Sequence, residues 1–132
     1  MTVRKPETVF SGAINRLLPY QLHYEKMNNP YRSGTADFWY SGSKADLWIE
    51  YKWLPKHKES VNLTEGTKPA LSVQQQNWLR RRYSEGRNVA VVVGTPNGAK
   101  ILRDLDWERT WSATAFITRS ELAAWIIKET YQ

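Results

Sequence analysis

Asp37, Glu50 and Lys52 are the residues of this chain whose types and spacing could do chemistry. The stretch DLWIEYKWL, Asp46 to Leu54, is rich in the aromatic and branched residues of a strand, and it carries Glu50 and Lys52 two positions apart. Alternation puts both on one face and sends Leu47, Ile49 and Tyr51 to the other. The stretch before it, TADFWYS from Thr35 to Ser41, is a second strand, and Gly42-Ser43-Lys44 makes a tight hairpin between them. With an even number of loop residues, cross-strand partners sum to an odd number, and Asp37 then lies opposite Trp48 or Glu50 on the same face. Two carboxylates so close repel each other unless a cation sits between them, which suits a divalent ion. Mg²⁺ is the expected ion, with Mn²⁺ as its substitute. Its other ligands would be the Tyr51 carbonyl, waters and a phosphate oxygen, because Mg²⁺ seldom takes an all-protein cage. Such a site suits phosphodiester hydrolysis, with Lys52 holding the attacking water and stabilising the added negative charge.

The elements that must position these residues can be read on either side. Val9, Phe10, Ala13, Ile14 and Leu17 recur at helical spacing over Pro6 to Leu18, with Pro6 in the first turn and Pro19 as the stop. Tyr20 to Met27 alternates like a strand, and NNPYRSG, Asn28 to Gly34, has loop chemistry. Pro55 to Ala70 is polar, patternless and long for a connection, so it is expected to be functional or mobile. Ser72 and Gln75 form a capping box for a helix that runs to Gly86. VAVVVG, Val89 to Gly94, reads as a central strand covered on both faces, with Gly98 to Leu102 beside it. A last helix starts at Thr118, with Glu121 completing its capping box and Ile117 stapling onto Leu122. The order is helix, three strands, helix, one or two strands, helix, which implies a mixed sheet flanked by helices. At 132 residues and 41% apolar content, residues 1–132 suit a single domain.

A formal charge of +6 from 19 Lys and Arg against 13 Asp and Glu favours a polyanionic partner, nucleic acid first. No apolar run approaches membrane-spanning length, and no basic amphipathic helix offers a continuous apolar face, so a membrane is not expected. MTVRKPETVF lacks the features of a secretory signal, which points to the cytoplasm, of a host cell if the chain is phage-encoded. The absence of cysteine excludes disulfides, thiolate zinc sites and cysteine nucleophiles. Arg80 and Arg81 on the second helix, and Lys56, Lys58 and Lys68 in the long loop, are the expected phosphate contacts. Consecutive helical positions point in different directions, so Arg80, Arg81 and Arg82 cannot all face one duplex. Trp48, Trp78 and Trp125 suit packed faces, whereas Trp53, Trp107 and Trp111 are candidates for stacking on bases or on a partner chain. His57 reads as a loop residue, not a ligand.

Taken together these segments resemble the PD-(D/E)XK nuclease superfamily, and within it the small stand-alone VRR-NUC domains. SGTADFWY matches the glycine-x-proline-aspartate segment with Ala36 in place of proline, and WIEYKWL supplies the glutamate-x-lysine as Glu50, Tyr51 and Lys52. ALSVQQQNWLRRRYSEGRNVAVVVG matches the leucine-serine-x-x-glutamine helix, its tryptophan and the valine-rich strand, which sets Gln75 and Trp78 in the corresponding places. The arginine that often follows that strand is absent, for Val93-Gly94-Thr95 stand there. The similarity runs from Glu7 to Gly94. It implies a restriction-endonuclease-like αβββαβ core and a Mg²⁺-dependent endonuclease with Asp37, Glu50, Lys52 and Gln75 in the catalytic set. It further implies Glu7 as the first-helix ligand and a homodimer acting on branched DNA such as a four-way junction. The competing expectations are a catalytically silent DNA-binding or nuclease-inhibiting module of the same fold, and an RNA-directed nuclease.

Overall fold

A computed structural model describes residues 4–27 and 34–131. The elements in chain order are α1 (Pro6–Asn15), β1 (His23–Lys26), β2 (Phe38–Ser41), β3 (Asp46–Trp53), β4 (Ser60–Val61), α2 (Val73–Ser84), β5 (Val89–Thr95), β6 (Gly98–Leu102), β7 (Trp111–Ser112) and α3 (Arg119–Tyr131). Five strands form one sheet in the order β1-β2-β3-β5-β6, and β4 pairs with β7 apart from it. β3 and β5 run parallel while the sheet's other neighbours are antiparallel. Parallel neighbours need a crossover, and α2 lies within it. The expected mixed α/β sheet flanked by helices is therefore the observed fold.

Every residue of β5 is buried, because Val92 enters the core under α1 and α3 while Val89, Val91 and Val93 enter the one under α2. The first core gathers Phe10 and Ile14 of α1, Leu122 and Ile126 of α3, and Tyr40, Leu47, Ile49 and Tyr51 of the sheet. Both capping boxes form. Ser72 Oγ accepts the Gln75 N–H at 3.1 Å while Gln75 Oε1 accepts the Ser72 N–H at 3.0 Å, and Thr118 with Glu121 repeats the pattern at 3.0 Å each way. The β2–β3 hairpin is gripped from afar. The Thr130 carbonyl accepts the N–H groups of Lys44 (2.8 Å) and Ala45 (3.2 Å), and Gly42 packs so close that a Cβ there would stand 2.5 Å from the same oxygen.

Some expected boundaries move. α1 ends at Asn15, not Leu18, since Pro19 disfavours helical geometry in the residue before it and the chain leaves through turns at Leu17 and Leu18. The first strand begins at His23; Tyr20 is 95% exposed, and Leu22 donates its N–H to the Pro19 carbonyl in a turn. β2 begins at Phe38 rather than Thr35. Of the expected loop Asn28 to Gly34, all but Gly34 lies outside the described residues. The polar stretch from Pro55 to Ala70 is pinned, with Leu63 and Leu71 buried and joined by an N–H to carbonyl bond of 2.9 Å, and with β4 paired to β7.

Trp107 and Trp111 correct a larger expectation. Neither is available for bases or a partner chain: they are 0% and 8% exposed in the core under α2, where Tyr83 meets Trp107 edge-on at 6.1 Å. Trp107 sits in a 3-10 turn, Asp106–Glu108, entered through the left-handed residues Asp104 and Leu105, so no helical or strand period marks it as core. Trp53 packs on the Phe10 ring at 5.8 Å and stays partly exposed. No helix among the described residues is long and apolar enough to cross a membrane. Trp107→Ala should cost about 3–5 kcal/mol of folding free energy, a cavity and transfer loss readable as a lowered urea midpoint.

Candidate active site

The β2–β3 register pairs Phe38 with Ile49 and Ser41 with Asp46, across a four-residue connection. One step further would set Asp37 against Glu50, but the ladder has ended. Instead Asp37 Oδ2 accepts the Tyr51 N–H at 3.0 Å, a side chain standing where a strand carbonyl would have been. Trp48 and Leu54 donate their N–H groups to carbonyls of Asn88 and Gly94 on the β5 side, so Tyr51 turns both its N–H and its C=O toward Asp37. The site therefore opens where β2 stops covering β3.

Glu50 and Lys52 share the face turned to α2 and are 1% and 9% exposed. Gln75 Nε2 donates to Glu50 Oε2 at 3.2 Å, and Lys52 Nζ stands 3.6 Å from the same oxygen. Among the described residues Glu50 Oε1 is buried with no hydrogen-bond partner. Burial, and after it the charge of Asp37, push the Glu50 carboxyl up to about 9 against the pull of Lys52. Glu7, half-buried on α1, is also raised, first by burial; Lys52 opposes the shift and Asp37 adds to it. Behind these groups Tyr40 Oη donates to Asn15 Oδ1 at 2.7 Å and shares a 2.7 Å bond with Tyr51 Oη, tying α1 to the two strands.

No family model matches the chain, and no curated protein matches it. A solved structure does. Hjc of Archaeoglobus fulgidus, a Holliday junction resolvase from an archaeal hyperthermophile, superposes with a TM-score of 0.52 over 89% of this chain and 99% of its own, at 13% identity. The chain has the restriction-endonuclease-like fold. Within that fold the central hairpin and the crossover helix α2 supply Asp37, Glu50, Lys52 and Gln75, and α1 supplies Glu7.

Glu7, Asp37 and Tyr51 line a cleft of 450 Å³, whose wall does not include Glu50, Lys52 or Gln75. Among the described residues no three His, Asp or Glu side chains converge closely enough to hold an ion, although Glu7 is near enough to Asp37 and Glu50 to act on their charges. The donors that could hold one are Asp37, the unpartnered Glu50 Oε1 and the Tyr51 carbonyl, a sparse oxygen set of the kind Mg²⁺ accepts. Of the expected phosphate contacts, Arg80 is engaged by Glu108 through two bonds of 2.8 and 2.7 Å, and Arg81 lies 3.8 Å from Glu85. Lys56, Lys58 and Lys68 are exposed but line no part of the cleft. Arg4, Lys5 and Lys26 do line it and were not expected. Only the strand register could have found Lys26, which pairs with Phe38 beside Asp37.

The raised Glu50 carboxyl has a consequence for stability in EDTA. The folded protein holds this proton more tightly than the unfolded chain, so the contribution is intact below the ordinary value of 4.5 and is lost as pH rises toward about 9. Urea melts across that window should show wild type weakening relative to Glu50→Gln, with the two converging near pH 4. Parallel curves would mean that Glu50 is already ionised in the folded protein.

Proposed function

We propose that this chain is a metal-dependent endodeoxyribonuclease of the PD-(D/E)XK type, close to the VRR-NUC domains, that acts on branched DNA such as a four-way junction. The observation that carries the reading is the buried Glu50 carboxylate, with one oxygen held by Gln75 and Lys52 and the other unpartnered beside Asp37. A carboxylate in that position is costly unless a cation replaces its proton, and perturbed carboxyls of this kind mark functional sites. The fold shared with a junction resolvase supports the choice of substrate, and the leucine-serine-x-x-glutamine start of α2 supports the narrower family.

Asp37, Glu50 and the Tyr51 carbonyl would hold Mg²⁺ or Mn²⁺, with Glu7 at the cleft wall as the outer acidic group. The ion would supply Lewis-acid activation of water and neutralise charge on the phosphate. Lys52 donates to the attacking water and answers the negative charge that grows on the phosphate. Gln75 fixes the plane of the Glu50 carboxylate. Arg4, Lys5 and Lys26 meet the phosphates at the cleft, with Arg81, Lys56, Lys58 and Lys68 further out along the duplex and Arg80 held back by Glu108. A small domain with few base-reading groups selects DNA by backbone path and shape. Two strands cut symmetrically need two centres, so the working form is a homodimer.

Asp37→Asn keeps the side chain's shape and removes one charge. Cleavage of labelled junction DNA in Mg²⁺ should fall by about 10²-fold or more, by analogy with the loss of one preorganised electrostatic group. Junction binding should survive, with an unchanged thermal melt. Near wild-type cleavage by this variant, or no cleavage by wild type of junction, flap, duplex or single-strand DNA, would remove the reading. Light scattering at micromolar concentration should give twice the chain mass, and a monomer would remove the dimer from it.

A further inference from the structure

Beyond Glu50 and Gln75 the same face continues into a trough that the catalytic reading leaves unused. Trp48 lies two residues before Glu50 on β3 and Trp78 three residues after Gln75 on α2, so their contact is the next rung of the same strand-to-helix ladder. The two rings meet edge-on at 5.6 Å, and Trp39 of β2 stacks on Trp48 at 6.0 Å and 24°. All three rings are partly exposed. The hollow above Trp48 and Trp78 measures 270 Å³ and begins at Thr35, two residues from Asp37. It shares Trp48 and Arg82 with a second hollow of 360 Å³, which shares Gly86, Arg87 and Asn88 with a third of 540 Å³.

The charges along this path are mixed and balanced, and among the described residues Arg87 is the cation that no acid answers. The linings carry Arg81, Arg82, Arg87 and Arg103 against Asp46 and Asp104. Glu85 answers Arg81 and Arg82, and Glu129 with Asn88 holds Arg103, from outside or at the edge of the walls. Among the described residues Arg87 is exposed and makes no ion pair or side-chain hydrogen bond.

We infer that this trough seats an unpaired strand of nucleic acid leaving the catalytic cleft, with a base stacked on Trp48 and Trp78 and the backbone following Arg82 and Arg87. Partly exposed aromatics beside cations are how proteins take unpaired bases, since a paired and stacked duplex offers no free base face. The inference rests on the nuclease reading for the identity of the polyanion and refines its substrate, which becomes a branch with an unpaired arm.

Fluorescence anisotropy in EDTA, where a metal-dependent nuclease cannot cut, tests it with a labelled oligothymidylate of about 12 nucleotides, within the span of single-strand binding sites. A blunt duplex of equal length serves as the control. Trp78→Leu should weaken single-strand binding by about tenfold, the size of one lost stacking contact, and Trp78→Phe should restore most of it. Arg87→Glu should weaken single-strand binding while duplex binding changes less than about twofold, as expected for a cation on the unpaired path only. Equal losses on both probes, or no loss with Arg87→Glu, would overturn the trough; Arg87→Glu, on an exposed side chain, decides the matter even if Trp78→Leu fails to fold. Cleavage of junction, flap, duplex and single-strand DNA by the unaltered protein in Mg²⁺ tests the nuclease reading separately, so the failure of one cannot be mistaken for the failure of the other.

Discussion

A carboxylate with 1% exposure on the inner face of a sheet has to be answered by its surroundings, and much of this molecule is arranged around that demand. The answer comes largely through one amide. Gln75 uses its oxygen to cap the first turn of α2 and its nitrogen to hold Glu50. The start of the crossover helix is thus fixed to the strand it crosses, and the helix then covers Val89, Val91 and Val93 of β5. Capping and site-building are alternatives only when the side chain is considered alone. In the folded chain its two ends do both.

A second demand comes from the edge of the ladder. β2 stops one residue short of Glu50, which leaves the Tyr51 N–H and carbonyl without strand partners on that side. Asp37 satisfies the donor and so is held beside Glu50 by a backbone obligation. The other face is equally constrained, because the Tyr51 ring carries the hydroxyl that meets Tyr40 and, through it, Asn15 of α1. Glu7 reaches the neighbourhood of Asp37 and Lys52 because this buried polar chain docks its helix there.

Much of this was legible in the sequence wherever a short period did the work. Alternation along Leu47 to Lys52 separates core from site, hairpin parity brings Asp37 to Glu50, and an unbroken valine run announces a strand covered on both sides. Serine and glutamine at the right spacing announce α2. What was not legible depends on contacts between distant segments. Trp107 and Trp111 carry no period because they sit in a turn with left-handed residues and a two-residue strand, and their burial is decided by Tyr83 and Leu63 far earlier in the chain. Lys26 comes to the cleft only through its pairing across β1 and β2. Arg80 looks available until Glu108 folds back to meet it.

The grip of Thr130 on the hairpin gives the last helix a role that the motif-bearing part of the chain does not suggest. Side-chain parity in a strand is strict, so one extra residue between Ser41 and Asp46 would turn Asp37 to the opposite face, whereas two would turn it back. The Thr130 carbonyl takes hydrogen bonds from two successive N–H groups in that connection and leaves no room for a Cβ at Gly42. It works as a length gauge. Any change in the length of this connection has to be accommodated by α3, and grafting the hairpin onto a scaffold without that helix would free the count on which the alignment of the charged groups depends.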